Sequence, residues 1–137
     1  RHPSTLASMC NLAYYLQAQG NHKAAEPLCR EALEGYREVL GERHPDTLNQ
    51  LANLADVLRS RGALEEARAA VGFALEGQRE QVGELHLNVL ECRAIQAHIH
   101  LADPATAAEG RAAMQAAVTD MRHHLGAENA ECRKYER

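Results

Sequence analysis

The sequence repeats itself every 42 residues, and that period constrains the fold more tightly than any other feature of the chain. The run Leu40-Gly41-Glu42-Arg43-His44-Pro45 aligns with Val82-Gly83-Glu84-Leu85-His86-Leu87 at an offset of 42, and His2-Pro3 stands the same distance before His44-Pro45. A further copy, Leu125-Gly126-Ala127-Glu128-Asn129, follows at an offset of 43, and the turn-like Asp103-Pro104-Ala105 absorbs the extra residue. Interior positions keep the same step: Leu6, Leu48 and Leu90; Ala13, Ala55 and Ala97; Gly20 and Gly62; Ala25 and Ala67; Ala32 and Ala74; Leu33, Leu75 and Val118.

Each unit reads as a pair of helices. In the first, Pro3-Ser4 marks a helix start with Ser4 as the cap. Leu6, Met9, Ala13 and Leu16 then recur at helical spacing, and Gly20-Asn21 ends one helix and begins the next. Ala25, Leu28, Cys29, Ala32, Leu33, Tyr36 and Leu40 form a second apolar stripe that stops at Gly41. Pro27 falls inside that stripe and removes one backbone donor, so a mild kink is expected there. The spacing predicts helices over about 4–19, 22–40, 46–61, 64–82, 88–102 and 105–125, with another starting near 130. A hairpin with one apolar face cannot bury it alone, whereas stacked neighbours share a continuous core. The expected architecture is therefore an all-α superhelix of about three units, 1–42, 43–84 and 85–127, with a partial fourth at 128–137. Small residues such as Ala13, Ala25 and Ala32 let paired helices approach closely; a larger side chain there would overpack the contact at about 1–3 kcal/mol. Because the pattern starts and stops partway through a unit, the chain is read as a piece of a longer protein.

Composition agrees with helices and narrows the function. Aromatics make up only 4% of the 137 residues, and good helix formers such as Ala, Leu, Glu and Arg dominate over β-branched types. The net charge of −4, with both signs interspersed, provides no basic stripe for nucleic acid. No apolar run reaches the length of a membrane span. The cysteines Cys10, Cys29, Cys92 and Cys132 are too far apart in sequence for a Cys-x-x-Cys metal motif, and fit reduced thiols in a cytoplasmic protein. Thirteen Arg against two Lys, with abundant Ala and Gly, fits a bacterial source of GC-rich coding.

Particular residues carry a family resemblance. Asn53-Leu54-Ala55, Leu58, Arg61-Gly62, Glu66-Ala67, Ala74-Leu75 and Gly83 resemble a tetratricopeptide repeat, and so do Asn11-Leu12-Ala13, Leu16, Gln19-Gly20, Ala25-Glu26, Ala32-Leu33 and Leu40-Gly41. The linker from Gly41 to Leu48 is similar to the longer 42-residue variety found in kinesin light chains and in bacterial proteins behind NB-ARC-type nucleotide-binding modules. Unit three departs from the pattern. Gln96 and His100 replace the leucines of the first two units, Pro104 replaces a glycine, and Leu87 replaces a proline. Either that unit caps the array, or its first helix rotates to use Leu90, Ala94, Ala97 and Leu101.

The resemblance implies a concave face lined by the first helix of every unit and used to hold a peptide or protein segment. It places Asn11, Tyr14 and Gln17 of unit one on that face, with Asn49, Asn53, Asp56 and Arg59 of unit two and Glu91, Ile95 and His98 of unit three. An asparagine amide both donates to and accepts from a peptide backbone, Tyr14 offers apolar area with a polar tip, and Arg59 suits a carboxylate in a bidentate pair. The implied partner is a protein or peptide ligand. The alternative is a regulatory segment of a larger nucleotide-binding switch that docks on other domains of its own chain or self-associates. No cofactor or metal is expected: His98 and His100 diverge on a helix, as do His123 and His124. His2, His44 and His86 recur once per unit, which points to a structural role in the linker. Catalysis is not expected, because no nucleophile elbow, phosphate loop or His-Glu-x-x-His motif is present, and runs such as Glu65-Glu66-Ala67-Arg68 fit solvated helix faces.

Overall fold

A computed structural model describes residues 3–84 and 86–125. It contains six helices: α1 (Pro3–Ala18), α2 (His22–Leu40), α3 (Pro45–Ser60), α4 (Leu64–Val82), α5 (Leu87–Ala102) and α6 (Ala107–Leu125). No strand occurs among the described residues. The helices pair as α1 with α2, α3 with α4 and α5 with α6; α3 also packs on α2, and α5 on both α4 and α3. This is the all-α stack of hairpins that the 42-residue period predicts. The expected helix near 130 lies outside the described residues.

The turns explain why the units repeat. Gly20 and Gly62, between the two helices of a hairpin, have φ of +83° and +86°, a left-handed conformation in which a Cβ would be strained. There the amide of Asn21 donates to the Leu16 carbonyl at 2.8 Å, and that of Ala63 donates to Leu58 at 2.9 Å, closing both helices in the same way. Between hairpins, His44 and His86 are the N-caps of α3 and α5. Each imidazole Nδ1 accepts from a backbone amide, Asp46 at 3.1 Å and Asn88 at 3.0 Å. This is the structural role that the histidine periodicity implied. His2 lies outside the described residues. Ser4 is not the cap expected of it, because α1 already begins at Pro3. Helix α2 continues through Pro27, whose side chain faces solvent.

The core runs through every unit. Ala13, Leu33, Leu48, Ala55, Leu58, Val71, Leu75, Cys92, Ile95 and Ile99 belong to one buried cluster that spans α1 to α5. A second cluster joins Leu90, Ala94 and Ala97 of α5 to Met114 and Met121 of α6. Helix α5 thus buries two faces. It keeps the register of α3: Leu90, Ala97 and Ile99 are as deeply buried as their counterparts Leu48, Ala55 and Val57. The alternative of a rotated helix is not realised, and Leu101, which it required in the core, is only half-buried. Leu12 and Tyr15 on α1 are 48% and 58% exposed, whereas the residues 42 positions later, Leu54 and Val57, are covered by the preceding hairpin.

Polar groups connect the units on the outside. Arg30 donates to Glu66 at 2.9 Å, Arg61 to Glu26 at 2.7 Å, Arg43 to Glu80 at 2.6 Å and Arg68 to Asp103 at 2.7 Å, each across about one period. Arg68 also reaches Glu65 at 3.4 Å, the i, i+3 pair read from the sequence. Exposed pairs like these contribute about 0–1 kcal/mol each. Burial pushes the Glu26 carboxyl up, but hydrogen bonds from Arg30 and Arg61 outweigh it and leave the pKa below the usual value. Buried Gln78 donates to the Pro45 carbonyl at 2.8 Å, and Thr47 donates to the Tyr36 carbonyl at 3.3 Å, fixing the first turn of α3 against α4 and α2.

Gly110 stands where units one and two have Ala25 and Ala67. A Cβ there would come within 2.7 Å of the Leu101 amide nitrogen and 2.9 Å of the Ala97 carbonyl oxygen, whereas at Gly72 it would meet nothing within 4 Å. Gly110→Ala is expected to destabilise by about 1–3 kcal/mol, because a backbone must move. Gly72→Ala, in a helix interior, is expected to stabilise by about 0.5–1 kcal/mol. Urea unfolding followed by circular dichroism checks both signs. In the same assay, His44→Ala and His86→Ala should each cost about 1 kcal/mol, and His→Asn, which retains a capping acceptor, should cost less.

Candidate functional site

The first helices α1, α3 and α5 lie side by side, and their common face forms an open cleft of about 450 Å³. Each contributes residues one or two turns apart, so the cleft follows directly from helical periodicity repeated at the 42-residue step. From α1 come Tyr14, Gln17 and Ala18; from α3 come Asn53, Asp56, Arg59 and Ser60; from α5 come Glu91 and Ile95; His22 closes one end from the start of α2. Seven of the sequence-nominated residues are therefore together: Tyr14, Gln17, Asn53, Asp56, Arg59, Glu91 and Ile95. Ala18, Ser60 and His22 were not anticipated. Ala18 and Ser60 are one period apart, each following a nominated residue, and that shared position was the signal available.

Asn11, Asn49 and His98 do not line the cleft. Asn11 is exposed on α1. Asn49 is held between helices: its amide nitrogen donates to Asn88 at 3.3 Å, and its oxygen accepts from Gln78 at 3.5 Å. His98 is half-buried further along α5.

The polar floor is organised by Asp56. Arg59 donates to its Oδ1 through Nε at 3.0 Å and through Nη2 at 2.8 Å, while Gln17 donates to its Oδ2 at 2.8 Å across the α1–α3 junction. The carboxylate expected for Arg59 is thus supplied within the chain, which fixes the guanidinium instead of leaving it to meet a ligand. Asn53 differs from these residues. Its side chain is exposed at the cleft, and no described residue takes up its amide. Tyr14 is 57% exposed, with its ring presented to the cleft, and Ile95 forms an apolar patch of the floor.

A small void of about 10 Å³ adjoins the cleft behind Tyr14 and Asn53 and is lined by Cys10 and Cys29. The Cys10 thiol donates to Gln50 Oε1 at 3.0 Å. Burial raises the Cys10 pKa and pushes Cys29 up to about 11 and Cys92 up to about 12. These thiols are free, and the buried ones serve as small apolar side chains. Among the described residues, no three His, Cys, Asp or Glu side chains are grouped to hold a metal, and no helix is long and apolar enough to cross a membrane.

Residues 5–46 fit the profile of a family described as tetratricopeptide repeat. No curated protein matches the chain. The matched span is one period long and covers α1, α2 and the linker up to the start of α3.

The thiol environments give a direct check. Alkylation of the native chain at mildly alkaline pH, mapped by peptide mass spectrometry, should modify Cys29 and Cys92 more than about tenfold slower than the same sites in urea. Cys10, which is only half-buried, should react between these extremes.

Proposed function

With a tetratricopeptide repeat at residues 5–46 and the same hairpin recurring through α6, the chain is a tetratricopeptide-repeat protein, and we propose that its cleft across α1, α3 and α5 holds an extended segment of a protein partner. Repeats of this kind are protein–protein interaction modules. The observation that carries the assignment to this cleft is the Asn53 amide, which faces it with no partner among the described residues. An amide in that state supplies one donor group and one acceptor to a peptide backbone, independent of the ligand's side chains. The neighbours that would otherwise compete are already engaged with one another, Gln17 and Arg59 with Asp56. A floor held this firmly loses little conformational entropy when a ligand binds. Tyr14 and Ile95 add apolar surface, so affinity does not rest on hydrogen bonds alone.

Peptides selected from a random displayed library against the purified chain provide the test. Asn53→Ala should weaken the selected peptides about 5- to 20-fold, the loss of one or two hydrogen bonds. Asn11→Ala, outside the cleft lining, should weaken them less. Binding indifferent to both changes, with the helical circular dichroism intact, would refute the assignment.

A further inference from the structure

The outer face of α1 differs from its counterpart on α3. Thr5, Met9, Leu12, Tyr15 and Leu16 recur at three- and four-residue steps and so lie along one side of the helix. Forty-two positions later the same stripe reads Thr47, Leu51, Leu54, Val57 and Leu58, all buried, with α2 of the preceding unit packed on α3. On α1, Thr5, Leu12 and Tyr15 are exposed, and Met9 and Leu16 are half-buried. In stacked arrays an outer face destined for water is polar, and this one is apolar. Charge then selects what covers it. Where one unit meets the next, the later unit reaches back with charged groups: Arg61 to Glu26, Glu66 to Arg30 and Asp103 to Arg68. In unit one the places of Arg61 and Glu66 are held by Gln19 and Ala24. Gln19 Nε2 donates to the Tyr15 hydroxyl at 2.8 Å, within its own unit. No residue from Pro3 to Ala18 is charged. The face keeps the apolar stripe of a junction between units and lacks the charges that, at the other junctions, engage a preceding hairpin.

We propose that this stripe is a self-association surface, through which two copies of the chain pair about a two-fold axis with α1 antiparallel to α1. A neutral face meets its own copy without the like-charge repulsion that a charged face would suffer. In a two-fold contact the same patch serves both copies, and Leu12 stands at the middle of the stripe that runs from Thr5 to Gln19. The axis therefore passes beside Leu12. The two Leu12 side chains meet there, and Met9 of each copy lies against Tyr15 of the other, a thioether on an aromatic ring. Tyr14, two residues beyond Leu12, points to another side of the helix, so the cleft of each copy stays open. One helix against one helix covers less than the ~1,000 Å² typical of a permanent interface, so the pairing is weak and reversible.

Sedimentation equilibrium of the purified chain over a concentration series provides the test. The mass should rise from one copy to a limit of two, with a midpoint on the order of 10–500 μM. Added salt should leave the midpoint unchanged or lower it, because the contact is uncharged and each copy carries a net charge of −4. Leu12→Lys and Leu12→Glu place a charge in the contact and should each weaken association more than about tenfold, with the helical circular dichroism intact because Leu12 is exposed. An equal mixture of the two variants should associate more tightly than either alone, since the axis brings Lys of one copy to Glu of the other; a merely unfolded variant gives no such rescue. A single copy at every concentration overturns the proposal. So does growth beyond two copies, which signals head-to-tail stacking, and so does association that either variant leaves unchanged. A mixture no tighter than its components refutes the two-fold pairing at Leu12.

Discussion

Close contact between helices through small side chains is the constraint on which the rest of the structure depends. Ala13, Ala55 and Ala97 on the first helices, and Ala25, Ala32, Ala67, Ala74 and Ala117 on the second, are essentially inaccessible to solvent. At these points each methyl group is the whole contact, and the distance between helix axes is set by what a methyl permits. Larger residues such as Leu48, Leu58 and Leu90 then fill the space between those points, so the leucine pattern follows from the alanine pattern. Replacement of alanine by Gly110 in the last hairpin shows the constraint tightening further, with α6 drawn against the backbone of α5.

The cleft inherits its precision from this stacking. Because α1, α3 and α5 are held at fixed separations, Gln17 reaches Asp56 across 39 positions of sequence, and Glu91 comes to share a surface with Tyr14. None of these contacts is local. A ligand site built this way is lined by helices, and the polar pair at its floor, Asp56 and Arg59, is already half-buried and hydrogen-bonded. Most recognising residues of the first helices lie off the core face and can vary without disturbing it; Ile95, which belongs to both the core cluster and the cleft floor, cannot.

The period in the sequence made the architecture legible, because an amphipathic helix must bury its stripe and only stacked hairpins let every stripe do so. Ala55, Leu48 and Leu90 behave as that argument requires. The capping chemistry was less visible. Ser4 is a typical cap by residue type but does not cap, whereas α3 and α5 are capped by His44 and His86, whose role depends on a backbone amide two residues ahead and was signalled only by their recurrence. The cleft was legible in part. Position along a helix indicated the faces of Tyr14, Asn53 and Asp56, but not which side chains would satisfy one another. Asn49 shows this limit: it occupies a groove-side position and turns to Asn88 and Gln78, partners supplied by two other helices. Arg59 shows it too, since its nearest carboxylate is three residues away on the same helix, where pairing competes with any outside ligand.

The division of the interior into two clusters has a consequence for how the molecule comes apart. The larger cluster joins α1 through α5, whereas among the described residues α6 is held chiefly by Met114, Val118 and Met121 lying on α5, with the Arg93–Asp120 pair at 2.6 Å beside them. Detaching α6 forfeits that smaller patch and leaves the larger one closed. Opening of the α5–α6 contact would therefore leave assembled the cleft, whose walls belong to the larger cluster.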